Sequence, residues 1–303
     1  MPVTSTKKGE TSVGKEAVNE KESPKGNPGW KRNEAIEQLG VFQNWFMYNL
    51  PPKDGPRMGF HCVVDINKGT MMFVIFSMML YFNNFSLGAW VYLSLHGSYG
   101  FFWAIKSAAF PDAGLTAPAT ITSCFLAPGP VALIPYYFIA YWAIQGLDDA
   151  QRNPSYERIF VACQCHVYGC VLTMVTDVQK HLVLMERRGL ITHGMMGWSR
   201  NLNYIGEILI YASFGILCQR WEAWAIYSFN WGVIFVLRMI LKDYSNSKKA
   251  GWPEYAAKTW FFLPKLYNNA LLSYFVYTLF FGSCFYMYTH GGIEATAKAI
   301  LNK

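Results

Sequence analysis

The chain alternates long apolar runs with polar stretches. Six runs predict membrane-spanning helices, for which about 20 apolar residues cross roughly 30 Å of hydrocarbon: residues 70–95, 119–144, 159–176, 204–217, 223–241 and 269–288. A shorter run at residues 99–110 contains Lys106, which favours an interfacial or re-entrant segment. The pattern therefore predicts an all-α, polytopic integral membrane protein with about 6–7 transmembrane helices.

The first 60 residues differ from the rest of the chain. Lys and Glu residues are interspersed there with Gly, Pro, Ser and Asn, and such a segment buries too little apolar surface to fold by itself. We therefore expect residues 1–60 to be a polar tail, solvated or ordered by a protein partner, before a transmembrane helical domain at residues 61–303. No apolar core of a signal peptide is visible, and the acidic residues disfavour a mitochondrial transit peptide.

Composition supports a membrane environment and disfavours other classes. Hydrophobic residues make up 52% of the chain, aromatic residues 17% and charged residues only 15%, which is unusual for a soluble protein. The net charge of +7 comes from Lys and Arg residues in the loops, so we expect membrane lipids and no nucleic acid as partners. The seven cysteines lack metal-ligand spacing, and we expect no metal site.

Two polar stretches, residues 177–207 and 242–266, are predicted to lie on one side of the membrane. The break at residues 219–222 between two apolar runs is too short for anything but a helical hairpin, which returns the chain to the side it left. Together the two stretches hold nine basic residues. Such charges indicate either the flanking residues that orient a membrane protein or a site for an anionic ligand.

Helical spacing groups several of these polar residues. Lys180 and Arg187 fall on one stripe of a helix, and Arg200, Asn203 and Glu207 repeat this geometry at the start of the next. A Glu this close to the bilayer is costly unless it pairs, and Arg200 and Asn203 lie on its face. Two interpretations stay open: the residues lock two helices together, or they cradle phosphate oxygens.

The same residues resemble a known family. GLITHGMMGWSRNLNYIGEI, at residues 189–208, is similar to the signature of the steroid 5-alpha-reductase C-terminal superfamily, and Asp177 and Lys180 precede it as in that family. The later Lys242-Asp243, Gly251 and Glu254-Tyr255 resemble its second motif. The resemblance covers residues 160–268 and marks residues 177–268 as a reductase-like cofactor region.

In that superfamily the two polar stretches surround NADPH, and an apolar pocket holds a steroid, sterol or other enone lipid whose double bond is reduced. The resemblance thus implies an NADPH-dependent oxidoreductase of the endoplasmic reticulum membrane, with a lipid-like substrate in an apolar pocket. By position, it implies these cofactor-binding residues: Lys180, Arg187, Arg200, Asn203, Tyr204, Glu207, Asp243 and Tyr255.

The sequence departs from the family pattern at two places. The usual His-Pro pair is Asn201-Leu202, and no Glu lies between Glu37 and Glu157, where the reductases carry the Glu that helps to hold the substrate carbonyl. A tyrosine hydroxyl could take that role, and the catalytic residue stays open among Tyr81, Tyr92, Tyr136, Tyr137 and Tyr141.

These departures leave two alternatives to the reductase. One is a reductase-like protein without catalytic activity that serves as a structural subunit of a multi-subunit membrane complex, such as a respiratory complex of the mitochondrial inner membrane. The other is a methyltransferase of the same fold, similar to isoprenylcysteine carboxyl methyltransferases, which use S-adenosylmethionine.

Overall fold

The computed structural model describes residues 26–126 and 128–301, with the side chains of residues 128–133 outside the description. Helices dominate this part of the chain. They are α1 (Glu34–Tyr48), α2 (His61–Tyr81), α3 (Leu87–Ala109), α4 (Ala113–Thr116), α5 (Ile121–Leu126), α6 (Pro128–Gln145), α7 (Asp149–Arg152), α8 (Tyr156–Glu186), α9 (Leu202–Cys218), α10 (Trp221–Phe229), α11 (Val236–Ser247), α12 (Trp252–Lys258), α13 (Ala270–Thr289) and α14 (Ile293–Leu301). Within these ranges, β1 (Arg57–Gly59) and β2 (Pro118–Thr120) form one small antiparallel sheet.

Four helical segments are long and apolar enough to cross a membrane: His61–Tyr81, Tyr156–Glu186, Trp221–Ser247 and Ala270–Thr289. Large apolar side chains are exposed along them, as lipid contact requires. The prediction of an all-α protein is confirmed, and these helices are compatible with an integral membrane protein. The total of 6–7 spanning helices stays a prediction.

The first predicted span was wrong in its boundaries. Residues 70–95 belong to two antiparallel helices, α2 and α3, because the chain turns at Asn83 and Asn84. Asn83 adopts a positive φ of 48°, and the buried Asn84 amide donates to the carbonyl of Ile144 over 2.7 Å. The run at residues 99–110 is the second half of α3 and not a separate interfacial segment. Hydropathy missed the turn because apolar residues flank both asparagines.

Helices α8 and α9 form the central pair of the bundle, and small residues bring their backbones together. A Cβ atom built on Gly206 would lie 2.3 Å from Thr173 Oγ1 and 2.7 Å from the carbonyl oxygen of Gly169. Close approach of this kind is typical of helix pairs in membranes. It fixes the positions of the first turn of α9, which carries Asn203, Tyr204 and Glu207.

The predicted hairpin after α9 is present. Gln219 takes a left-handed conformation with φ 56°, and α10 begins two residues later. The helix then continues through a π-helical segment, Asn230–Phe235, into α11. Residues 187–201 and 248–269 therefore meet at one end of the bundle, which we call the polar end. At the opposite end, hydrogen bonds join Gln151 to Cys218 and Glu157 to Ile293.

Part of the predicted tail is folded. Residues 34–48 form α1, whose first turn is capped by the Asn33 side chain, and Met47 and Leu50 are buried against the bundle. Leu50 is held through its backbone, which donates to Ser123 Oγ at 2.9 Å and accepts from Thr120 Oγ1 at 2.8 Å. The polar composition of residues 1–33 concealed this helix. Residues 1–25 lie outside the described part of the chain.

Candidate functional site

A cavity of about 290 Å³ opens at the polar end of the bundle. It is lined by side chains from α2, α3, α6, α8, α9, α11, α12 and the loops between them. Its charged lining residues are Lys68, Lys106, Asp112, Asp177, Lys180, Arg200, Glu207, Arg238, Lys242 and Lys249. Seven basic side chains thus face three acidic ones, and the cavity is suited to an anionic ligand.

Two of the carboxylates are neutralised by lysines across the helix interfaces. Lys106 Nζ lies 2.9 Å from Asp177 Oδ2, and Lys180 Nζ lies 2.6 Å from Asp112 Oδ2. Burial alone would raise the pKa of Asp112, but Lys180 and the backbone N–H of Gly114 outweigh it and lower that pKa to about 2. These pairs hold α3 and the following loop against α8.

Lys68 is held in the cavity wall by aromatic residues. Its ammonium donates to the hydroxyl of Tyr99 at 2.7 Å and lies 3.5 Å from the centre of the Trp103 ring. Trp103 is itself fixed, because its indole N–H donates to Asp65 at 2.8 Å. A cation held by a neutral hydroxyl and a ring keeps most of its charge available to a ligand.

Arg238 and Lys242 form no ion pair within the described part of the chain. Lys242 lies over the Tyr204 ring, 5.7 Å from its centre. Lys249 donates to the carbonyl of Gly189 at 3.2 Å, and burial followed by the nearby charge of Lys180 lowers its pKa. The cavity thus holds cations that form no ion pair with the described residues.

Arg200 forms its ion pair with Asp243 and not with Glu207, whose helix face it shares in the sequence pattern. Its Nε donates to Asp243 Oδ2 at 2.7 Å, and its Nη1 donates to the carbonyl of Thr259. The flanking residues extend this connection, since the Asn201 amide donates to the carbonyl of Phe261 at 2.8 Å. Arg200 precedes the first residue of α9, and its partners come from α11, through Asp243, and from Thr259, which follows α12. This part of the motif joins the two polar stretches.

Glu207 lines the cavity without an ion pair to any described residue. Asn203, one turn earlier, also lines it, and its Oδ1 is buried without a hydrogen-bond partner. A buried amide oxygen of this kind costs free energy unless a ligand or water satisfies it. Both side chains are therefore available to a bound polar molecule.

The remaining predicted residues divide between the cavity and its surroundings. Tyr204 and Tyr255 line it, although the Tyr255 hydroxyl donates to the carbonyl of Met196 at 2.7 Å and burial raises its pKa to about 12. Asp243 lies behind Arg200, and Arg187 is exposed at the end of α8, outside the cavity. Helical spacing predicted that Arg187 shares a helix face with Lys180, but α8 ends at Glu186 and Arg187 is extended. The structure brings six of the eight predicted residues to one cavity; cofactor contact stays a prediction.

Of the five tyrosines left open, Tyr136 lines the cavity. Its ring stacks on Tyr211, with centroids 4.6 Å apart, and its hydroxyl accepts from the Asn230 amide at 3.3 Å. Tyr81, by contrast, is 82% exposed at the opposite end of α2. Only the packing of α6 against α9 distinguishes Tyr136 from the other four.

Sequence reasoning missed Lys68, Asp112 and Arg238 as lining residues. A signal existed for Arg238, which interrupts the apolar run at residues 223–241, and for Lys68, which lies two residues before the run at residues 70–95. Ionisable residues within apolar helices are functional candidates by default. Asp112 lies in a loop and had no such signal.

No protein-family model matches this sequence, and a search of curated proteins found no significant similarity. The family resemblance therefore rests on the motif residues themselves.

Proposed function

We propose that the protein is a membrane oxidoreductase that binds NADPH in the polar cavity and reduces a carbon–carbon double bond of a steroid, sterol or other enone lipid. The observation that carries the proposal is the cavity itself. Seven basic side chains line it, and tyrosines lie at its inner wall between apolar helices.

The charge pattern favours a polyphosphate over an uncharged cofactor. After Lys106 and Lys180 are paired with carboxylates, the cations of Lys68 and Lys242 still lack a carboxylate partner within the described residues. Phosphate oxygens satisfy such groups through charge-assisted hydrogen bonds. S-adenosylmethionine carries no phosphate, so the charges of this cavity favour the reductase over the methyltransferase.

The inner wall offers a group for the substrate. NADPH supplies the hydride when bound, and the chain must then polarise the carbonyl conjugated to the double bond. The Tyr136 hydroxyl accepts from Asn230, so its own proton can be donated to a substrate oxygen. We assign Tyr136 this role, in place of the glutamate that the sequence lacks in this region.

The test is a thermal shift of the detergent-purified protein with NADPH, NADH and S-adenosylmethionine, compared between wild type, Lys242→Ala and Lys258→Ala. Lys258 is an exposed lysine of α12 outside the cavity, so it controls for loss of a charge. Arg200→Ala is unsuitable, because Arg200 holds the loop after α12.

We expect NADPH to raise the melting temperature of wild type and Lys258→Ala, and to raise that of Lys242→Ala much less. A ligand at 100 times its Kd stabilises by about 2.7 kcal/mol, which is readily measured. No shift with NADPH would overturn the cofactor assignment, and a shift with S-adenosylmethionine alone would favour the methyltransferase.

The structural-subunit alternative is favoured by one observation. Within α13, Ser273 is the one buried residue, and the helix exposes a long apolar surface that another subunit could cover as well as lipid. Purification in a mild detergent, followed by native mass measurement, tests it. A stable assembly with other proteins and no response to NADPH would support this alternative, and the organelle that yields the assembly would decide between endoplasmic reticulum and mitochondrial inner membrane.

A further inference from the structure

A second cavity, of about 590 Å³, lies beside the polar one. It is bounded by α1, the end of α5, Pro135 of α6 and the continuous helix from α10 to α11. We call it the lateral groove; its lining residues are Gln43, Phe46, Met47, Leu126, Pro135, Ala225, Ile226, Phe229, Asn230, Val233, Ile234, Leu237 and Arg238. Ten of these thirteen are apolar, so the groove is suited to a hydrocarbon chain.

The lateral groove meets the polar cavity at three residues. Asn230, Ile234 and Arg238 line both. They lie on one side of the helix, four residues apart, and the first two belong to the π-helical segment. Such segments are often found at functional sites because they change which side chains share a face. Here the π-helical segment lies where the apolar lateral groove meets the charged polar cavity.

Arg238 gives this junction its chemistry. Its side chain is accessible within the bundle because three cavities open onto it, the third lying between α1 and α11. No carboxylate lies within ion-pair distance of Arg238 among the described residues, although Asp112, Asp177 and Glu207 line the polar cavity with it. A guanidinium beside an apolar groove is costly to leave without an anion.

From this arrangement we propose that the lateral groove binds a single-chain anionic lipid, with its hydrocarbon chain against α1 and α10 and its carboxylate or phosphate head on Arg238. Charge complementarity selects the occupant: a guanidinium binds either anion bidentately, whereas a neutral sterol or alcohol leaves it unpaired. The proposal goes beyond the reductase activity and does not depend on it.

The experiment uses the full-length protein in detergent and palmitate carrying a photoreactive diazirine near the end of its chain. Labelled peptides are identified by mass spectrometry. Unlabelled palmitate, lysophosphatidate and hexadecanol are then compared as competitors at equal concentration. The variants are Arg238→Gln, the matched control Arg220→Gln, whose arginine pairs with Glu222 near the start of α10, and Ala225→Trp, which fills the groove without removing a charge.

We expect labelling of α1 and of the α10–α11 segment, competition by the two anionic lipids, and weak competition by hexadecanol. Arg238→Gln should reduce affinity about tenfold or more, as loss of a charge-assisted pair does, and Ala225→Trp should abolish labelling, while Arg220→Gln behaves as wild type.

Equal competition by hexadecanol, or unchanged binding in Arg238→Gln, would overturn the proposal and leave a groove that takes any apolar chain. If Arg238→Gln fails to fold, Ala225→Trp together with the hexadecanol comparison decides. A thermal shift with NADPH is measured on the same samples, so failure of lipid binding is distinguished from failure of the proposed cofactor site.

Discussion

At the scale of single residues, the polar cavity depends on which charges are already paired. Asp112 and Asp177 hold Lys180 and Lys106, while Lys242 and Arg238 stay without a carboxylate partner in the described chain. Paired residues position the walls, and unpaired residues are available to a ligand. The two groups are therefore expected to respond differently to substitution.

The pair between Asp112 and Lys180 predicts a pH-dependent stability. The folded pKa of Asp112, about 2, lies below its ordinary value of about 3.9, so its contribution is present above pH 3.9 and is lost as pH falls towards 2. We expect Asp112→Asn to lower stability by roughly 1–2 kcal/mol at pH 6, allowing for partial solvent screening, and by about half as much near pH 3.

Melting temperatures of wild type and Asp112→Asn, measured in one detergent from pH 6 to pH 3, check this expectation. Asp54→Asn, at an exposed aspartate, is the control. A difference that does not shrink towards pH 3 would mean that the carboxylate is not what stabilises the loop.

At the scale of elements, the contact between α8 and α9 positions the site. Gly206→Ala should destabilise the protein by about 1–3 kcal/mol, because the added methyl would overlap Thr173 and Gly169. It should also weaken NADPH binding, since Asn203, Tyr204 and Glu207 lie within one turn of it.

Gly282→Ala in α13 is the matched control, because a Cβ there meets no atom within 4 Å. The same substitution should be neutral or stabilising at that position, since alanine favours a helix by about 1 kcal/mol over glycine. Thermal denaturation of both variants measures the contrast. Equal effects would show that α8 and α9 are not in the close contact described.

At the scale of the whole molecule, the helices run alternately between the polar end and the opposite end. This predicts a labelling pattern for single cysteines introduced after the seven native cysteines are replaced. In sealed vesicles, a membrane-impermeant maleimide should reach Arg188→Cys and Lys258→Cys from one side, and Asp149→Cys and Lys298→Cys from the other. Labelling of Arg188→Cys and Lys258→Cys from opposite sides would contradict the hairpin formed by α9 and α10–α11.

The sequence by itself determined the helical class, the hairpin at Gln219 and the grouping of Lys180, Arg200, Asn203, Tyr204, Glu207 and Tyr255. The class, the hairpin and the grouping of Arg200, Asn203 and Glu207 follow from the hydropathy pattern and from helical spacing, whereas the resemblance to the reductase motifs added Lys180, Tyr204 and Tyr255. It did not locate the turn at Asn83 and Asn84, because the apolar residues on both sides outweigh two asparagines in a hydropathy average. It also missed the helix α1, because the residues that hold this helix to the bundle are distant in sequence.

Only the tertiary structure decided which charges face the cavity and which are consumed in pairs. Arg200 pairs with Asp243, and Asp112 with Lys180, across 43 and 68 positions of the chain. It likewise selected Tyr136 among five tyrosines and placed Arg238 where the polar cavity meets the lateral groove. The physical reason is that ion pairs and cavities depend on the packing of elements remote in sequence, which no local pattern specifies.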